Sequence, residues 1–270
     1  MSCAIGLTEW RLAESGVAAL KLAATVGADG VQFDLGGPGR GEWLDSPGRI
    51  EALRAESAAG GVKLLAVAAN HLNDIGLTSG AAVVRPLLER LLNAAHALEA
   101  PLVFVPSFRR SAIDGPDALA RTGKALRWAA NEALSRGLLL ASENVLDPGE
   151  ARRLAEEVDS PAFRILLDTF NPVAAGIGTE GLVGAVGEIL ADQVHLKDGP
   201  PDVGVTPLLG TGRGGLDSTL AALRKHRVPV RALVLENDYR DGDLTRLNAD
   251  LAWSRRRAQQ FITTPIEVGT

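Results

Sequence analysis

The sequence predicts a closed (β/α)8 barrel, and three observations support that fold class. Short apolar runs alternate with longer segments of helical period through eight cycles. The runs are near-continuous in hydrophobic residues, as parallel strands buried on both faces require, rather than alternating polar and apolar. Eight cycles in 270 residues also match the usual length of such a barrel, with an open doubly wound sheet as the structural alternative. Residues 1–270 are therefore expected to form a single barrel domain.

The expected strands are Ala4–Leu7, Gly30–Leu35, Lys63–Ala69, Leu102–Pro106, Leu138–Glu143, Arg164–Asp168, Gln193–Lys197 and Ala232–Glu236. Helices are expected over Leu12–Val26, Pro47–Ala59, Ala81–Leu98, Asp117–Ser135, Pro148–Val158, Gly181–Leu190, Ser218–Lys225 and Thr245–Gln260. Ser46-Pro47 reads as a capping hydroxyl before a first-turn proline. Asp147-Pro148-Gly149-Glu150 reads as a capping box with proline at the first helical position. Gly27, Gly60 and Gly137 follow three of the helices, where a left-handed residue commonly ends the element. The Gly- and Pro-rich stretch from Gly199 to Gly215 reads as a long loop after the seventh strand, and loops of that length are usually functional.

Bulk composition narrows the function classes. With 46% hydrophobic and 23% charged residues the chain can bury a sizeable core. A net charge of −5 with scattered Lys and Arg argues against a phosphate-backbone footprint, hence against nucleic acid as a partner. The single cysteine, Cys3, excludes an internal disulfide. No apolar run reaches the roughly 18 residues of a membrane helix. The first strand-like run begins at Ala4 and leaves no room for a signal peptide, so a cytoplasmic protein is expected.

Four consecutive strands end in side chains that bind metals: Glu143, Asp168, His195 and Glu236. Each alone is more often a loop anchor or a helix cap, but in this barrel the C-terminal strand ends face one shared cavity. Three carboxylates and an imidazole suit one hard divalent ion. Mn2+, Mg2+ or Co2+ is expected, with Zn2+ and Fe2+ as further candidates. Lys197 lies two residues after His195 and shares its face of the strand. The loop Gly210-Thr-Gly212-Arg213-Gly-Gly215, with Lys197, is a candidate anion site through its amides and the Arg213 guanidinium. Trp10, Phe33, Trp43 and Phe108 are candidate walls of a sugar pocket, while Trp128 and Trp253 on outer helices are assigned to packing.

The four strand ends resemble the ligand motifs of the xylose isomerase-like TIM barrels, in particular the sugar phosphate isomerase/epimerase group. The motifs are Glu143 in Ser-Glu-Asn, Asp168 in Leu-Leu-Asp-Thr-Phe-Asn, His195 in Val-His-Leu-Lys-Asp and Glu236 in Leu-Glu-Asn. The resemblance runs over the whole chain, including Val105-Pro106-Ser107-Phe108 and Leu209-Gly-Thr-Gly212. It implies a metal-dependent isomerase or epimerase of a sugar or sugar phosphate, working by proton abstraction beside a carbonyl through a cis-enediolate. Glu143 and Glu236 would be its acid/base pair. A lyase or dehydratase acting on a keto-sugar or keto-cyclitol is the alternative on the same site. An endonuclease IV-like reading is disfavoured by the acidic balance and the four histidines in total. The resemblance further implies a homodimer or homotetramer, and a substrate-facing role for His71. In several family epimerases a histidine stands three residues after the strand-six aspartate. Here that residue is Asn171, which can hydrogen-bond a substrate but cannot exchange a proton near neutral pH.

Overall fold

Apolar runs covered on both faces become strands that have no free edge. In the structure, a computed structural model that describes residues 3–199 and 206–261, they are β1 (Ala4–Thr8), β2 (Gly30–Asp34), β3 (Lys63–Ala68), β4 (Leu102–Pro106), β5 (Leu139–Glu143), β6 (Phe163–Asp168), β7 (Leu190–Leu196) and β8 (Ala232–Leu235). They pair in parallel in sequence order, and β8 closes on β1 through Leu233↔Ile5 and Leu235↔Leu7. The chain is a (β/α)8 barrel, not an open sheet.

The helices are α1 (Val17–Val26), α2 (Arg49–Gly60), α3 (Leu72–Ile75), α4 (Ala81–Leu98), α5 (Pro116–Ser135), α6 (Pro148–Val158), α7 (Asn171–Ala174), α8 (Thr179–Val186), α9 (Leu216–Lys225) and α10 (Leu244–Ala258). The capping box at α6 forms as expected: Asp147 accepts the Glu150 amide at 2.8 Å, and Glu150 accepts the Asp147 amide at 3.3 Å. Several boundaries differ from expectation: α8 ends at Val186 because Leu190 already opens β7, most other shifts are of one to three residues, and three differences have a local cause. Helix α1 begins five residues late because the chain after β1 first makes a 3-10 turn over Glu9–Arg11. Helix α2 begins at Arg49 and not at Pro47, because Gly48 at φ 76° is left-handed and interrupts the Ser46-Pro47 start. Gly60 stays helical, and Gly61 at φ 66° takes the left-handed terminal position instead. The one-turn helices α3 and α7 were not expected; four residues are too few to show a helical period.

Two cores result. The larger lies between strands and outer helices, where Leu20, Leu53, Leu88, Leu126 and Leu154 are fully buried. The barrel interior is filled by small side chains and a few large ones, including Ala66, Ala68, Phe104, Ala141, Leu166 and Ala191. A register shift in the β2–β3 pair beside Val31 lets Leu65 fill the space next to Gly6 and Gly30. A Cβ on either glycine would lie 2.5–2.6 Å from Leu65 side-chain atoms, so a larger residue at either position would force Leu65 to shift. The packed lumen raises a floor under the C-terminal strand ends, and the site stands on that floor. No helix among the described residues is long and apolar enough to cross a membrane.

Candidate metal centre

Strand register brings the four predicted ligands together. Asp168 pairs directly with His195, Glu143 pairs with Leu166 two residues before Asp168, and His195 pairs with Val234 two residues before Glu236. Period-two alternation then aims all four into the barrel mouth. One ligand atom from each lies within 4.8 Å of the others, and all four residues are buried.

Each ligand is held by one atom and presents another. Asp168 Oδ1 accepts the amides of Phe170 and Asn171 at the start of α7, while the buried Oδ2 has no partner. Glu236 Oε1 accepts Trp10 Nε1 at 3.0 Å, while the buried Oε2 has none. Glu143 Oε1 accepts Asn171 Nδ2 at 3.0 Å, and Asn171 Oδ1 in turn accepts Lys197 Nζ at 3.3 Å. Unpartnered buried polar atoms are costly. Three of them converging from Asp168, His195 and Glu236 are the donor set a divalent cation satisfies, so the residues fit the ion.

The histidine tautomer follows from a chain of hydrogen bonds through the lumen. The Leu65 carbonyl can only accept, so Gln193 turns its Nε2 toward it at 2.8 Å. Gln193 Oε1 then accepts Gln32 Nε2 at 2.9 Å, which leaves Gln32 Oε1 facing His195 Nε2 at 2.8 Å. An acceptor there requires the proton on Nε2. Nδ1 faces the cluster, 3.5 Å from Glu236 and 3.8 Å from Glu143 without a hydrogen bond, so a metal ion that displaced its proton would meet the Nδ1 lone pair.

The electrostatics show the same demand for a cation. Burial pushes Asp168 up to about 7, helped by Glu236 and Glu143 and opposed by Lys197. Burial would lower His195, but Glu143 and Glu236 outweigh it and push the ring up to about 10. Burial likewise acts to raise Glu236, yet Lys197 and His195 hold it well below the usual carboxylate range.

A cavity of about 320 Å³ opens on the cluster. Glu143 and Glu236 line it, whereas Asp168 and His195 do not. Of the other expected contacts, Trp10, Phe108, Asn171 and Lys197 line it too. His71 does not: its ring packs edge-on against Trp43, and its Nδ1 lies 3.9 Å from Asp74. Arg213 is exposed on the glycine-rich loop outside the lining. Phe33 is fully buried in the outer core, and Trp43 lies under the Arg90 guanidinium, so neither is a cavity wall. Gln32 and Gln193 are not singled out by the sequence, although a polar amide inside an otherwise apolar strand is a usable signal. Arg11, Arg40, Arg109 and Arg240 line the cavity from loops and single 3-10 turns, which carry no periodic signature.

Comparisons with known proteins agree with the fold. Residues 20–257 match the family model described as xylose isomerase-like TIM barrel. A 2-epi-5-epi-valiolone 7-phosphate 2-epimerase from Actinoplanes sp. is 61% identical over 258 residues, which span 96% of each chain. Solved structures share the fold at much lower identity. A xylose isomerase domain protein from Planctomyces limnophilus aligns with a TM-score of 0.76 at 16% identity, covering 97% of this chain and 98% of that one. A D-psicose 3-epimerase with D-tagatose from Clostridium cellulolyticum H10 aligns with 0.73 at 18%, covering 94% and 99%. By the span of the family match and the identity to the Actinoplanes protein, the chain belongs to the xylose isomerase-like TIM barrel family.

Proposed function

We propose that this chain is a metal-dependent epimerase of a phosphorylated polyhydroxy ketone, inverting the carbon beside the carbonyl through a cis-enediolate. The observation that carries the reading is the division of the ligand set: Asp168 and His195 lie behind the cavity wall, while Glu143 and Glu236 face into it. A divalent ion in the site, with Mn2+, Mg2+ or Co2+ favoured, would polarise the ketone and lower the cost of removing the α-proton. Glu143 ends β5 and Glu236 directly follows β8, three strands apart around the mouth, so they approach a bound substrate from different sides. One takes the proton from one face and the other returns a proton to the opposite face. Asn171 orients Glu143 through its Nδ2, and Trp10 orients Glu236 through its indole N–H. Lys197, 3.6 Å from Glu236, adds positive charge where enediolate charge develops. The substrate class follows the 61% identical relative, whose name specifies a phosphorylated ketone and a 2-epimerisation.

The reaction in D2O, followed by NMR with 2-epi-5-epi-valiolone 7-phosphate, tests the proposal. The expected product is the inverted ketone with deuterium at the inverted carbon. Loss of water from the product would instead establish a lyase, and no exchange into substrate or product would refute both.

A further inference from the structure

A phosphorylated substrate needs an anion subsite, and the glycine-rich loop after β7 is the location the sequence suggests. Residues 200–205 of that loop lie outside the described residues, and the described part is filled from within. The amides of Gly199, Gly210, Gly212 and Gly214 all donate to the carboxylate of Asp198, at 2.7–3.0 Å. Asp198 is itself buried, and its own amide is tied to Asn237 Oδ1. The amide nest that could cradle a phosphate already holds an anion of the chain's own.

The opposite wall of the cavity presents cations instead. Arg40 from the loop after β2 and Arg109 from the loop after β4 both bond Asp74 of α3, at 2.7 and 3.1 Å. One carboxylate thus draws two guanidiniums together and leaves one positive charge in excess. Arg40 uses only its Nε in this contact, so both of its terminal nitrogens remain available, and its side chain is 20% exposed. Arg109 is held at φ 50°, a left-handed conformation uncommon for a residue with a side chain. Between them, Asn70 lines the same cavity, is 9% exposed, and has a buried Nδ2 with no hydrogen-bond partner. Across the mouth, Arg11 and Arg240 also line the cavity, with Asp238 bonded to Arg240. Arg11 is 3.8 Å from Glu236 and Arg240 is paired with Asp238, so the one positive charge in excess on the Arg40–Arg109 wall is the charge offered to a phosphate monoester, which carries about −1.5 to −2 at neutral pH.

We infer that Arg40, Arg109 and the Asn70 amide form the phosphate subsite, with Asp74 as the positioning residue that presents the two guanidiniums. Arginine suits this role because its planar fork pairs with phosphate oxygens through two parallel hydrogen bonds. The inference rests on the proposed function for its substrate and adds where the two ends of that substrate lie. The phosphate end lies on the β2–β4 side, while the reacting carbon lies over β5–β8.

The test compares the phosphorylated ketone with its unphosphorylated form in Arg40→Ala, Arg40→Lys, Arg109→Ala and Asn70→Asp. Each alanine variant should raise KM for the phosphorylated form roughly tenfold to a hundredfold, with kcat changed by less than about threefold. KM for the unphosphorylated form should not move. Arg40→Lys should recover part of the loss, and Asn70→Asp, which places a like charge against the phosphate, should lose at least as much as Arg40→Ala. Calorimetric titration of inorganic phosphate into the Mn2+-loaded protein supplies a second readout, in which Arg40→Ala and Arg109→Ala should bind more weakly than the unmodified chain. That titration remains decisive if no epimerase activity is found, so failure of the function and failure of the subsite are separable. Unchanged phosphate binding in both alanine variants, or weakening only in Arg213→Ala, would overturn the inference.

Discussion

Asp34 and Asp168 close strands on opposite sides of the barrel, β2 and β6, and their surroundings begin alike. Both are buried, and burial pushes both up to about 7. They differ in what the remaining lone pairs meet. Asp34 accepts the Asn70 backbone N–H and sits near Arg40 and Glu9, and Glu9 in turn is held by the Gly16 and Asp34 backbone amides and by Arg49 at 3.6 Å. Asp168 keeps one oxygen unpartnered, aimed at three other ligand atoms. A buried carboxylate at a strand end is therefore not in itself a metal ligand; convergence of unsatisfied donors distinguishes the two sides. The Asp34 carboxylate itself is met by the chain's own groups. Around Asp168 the barrel leaves its donors for a ligand.

The largest expected effect separates the cavity-facing ligands from the rest. Glu143→Gln and Glu236→Gln each keep the side-chain shape, and each should lower solvent deuterium exchange by roughly 10²- to 10⁴-fold. If both variants kept full exchange, the acid/base pair would lie elsewhere. A smaller effect probes the other side. Asp34 in the folded chain holds a proton up to about pH 7, against the ordinary 3.8, so between those values the folded state binds more protons than the unfolded. Stability should fall as pH rises through that window, by at most about 1.4 kcal/mol per pH unit, and the loss should be complete above the folded pKa. Asp34→Asn keeps the Oδ1 acceptor and removes the titration. Urea unfolding from about pH 4 to about pH 8 should therefore show the variant gaining on the unmodified chain as pH rises. Parallel curves would show that Arg40 fully compensates the buried charge.

The same contrast explains what could be read from the sequence. A strand buried on both faces must be apolar, so its end is marked wherever a carboxylate or histidine interrupts the run. Glu143, Asp168, His195 and Glu236 were visible for that reason, and parallel pairing in sequence order then sets them side by side. Asp74 was invisible because its partners stand 34 and 35 residues away, on loops whose paths no periodicity specifies. His71 and Arg213 show the converse. Each has suitable chemistry near a strand end, but α3 places His71 beside Asp74, and the Asp198 nest leaves Arg213 outside the cavity lining. Asn171 was read as a departure from the epimerase pattern; the structure shows it bridging Glu143 and Lys197, a positioning task that needs hydrogen bonds and no proton exchange.

The central claim is that Asp168, His195 and the two glutamates form one metal centre whose imidazole is set by Gln32. Calorimetric titration of Mn2+ into the unmodified chain, Asp168→Ala and Gln32→Leu tests it directly. One ion per chain should bind the unmodified protein, Asp168→Ala should abolish that binding, and Gln32→Leu should weaken it by roughly 10- to 100-fold. Binding of equal affinity in all three, or no binding to the unmodified chain, would contradict the account.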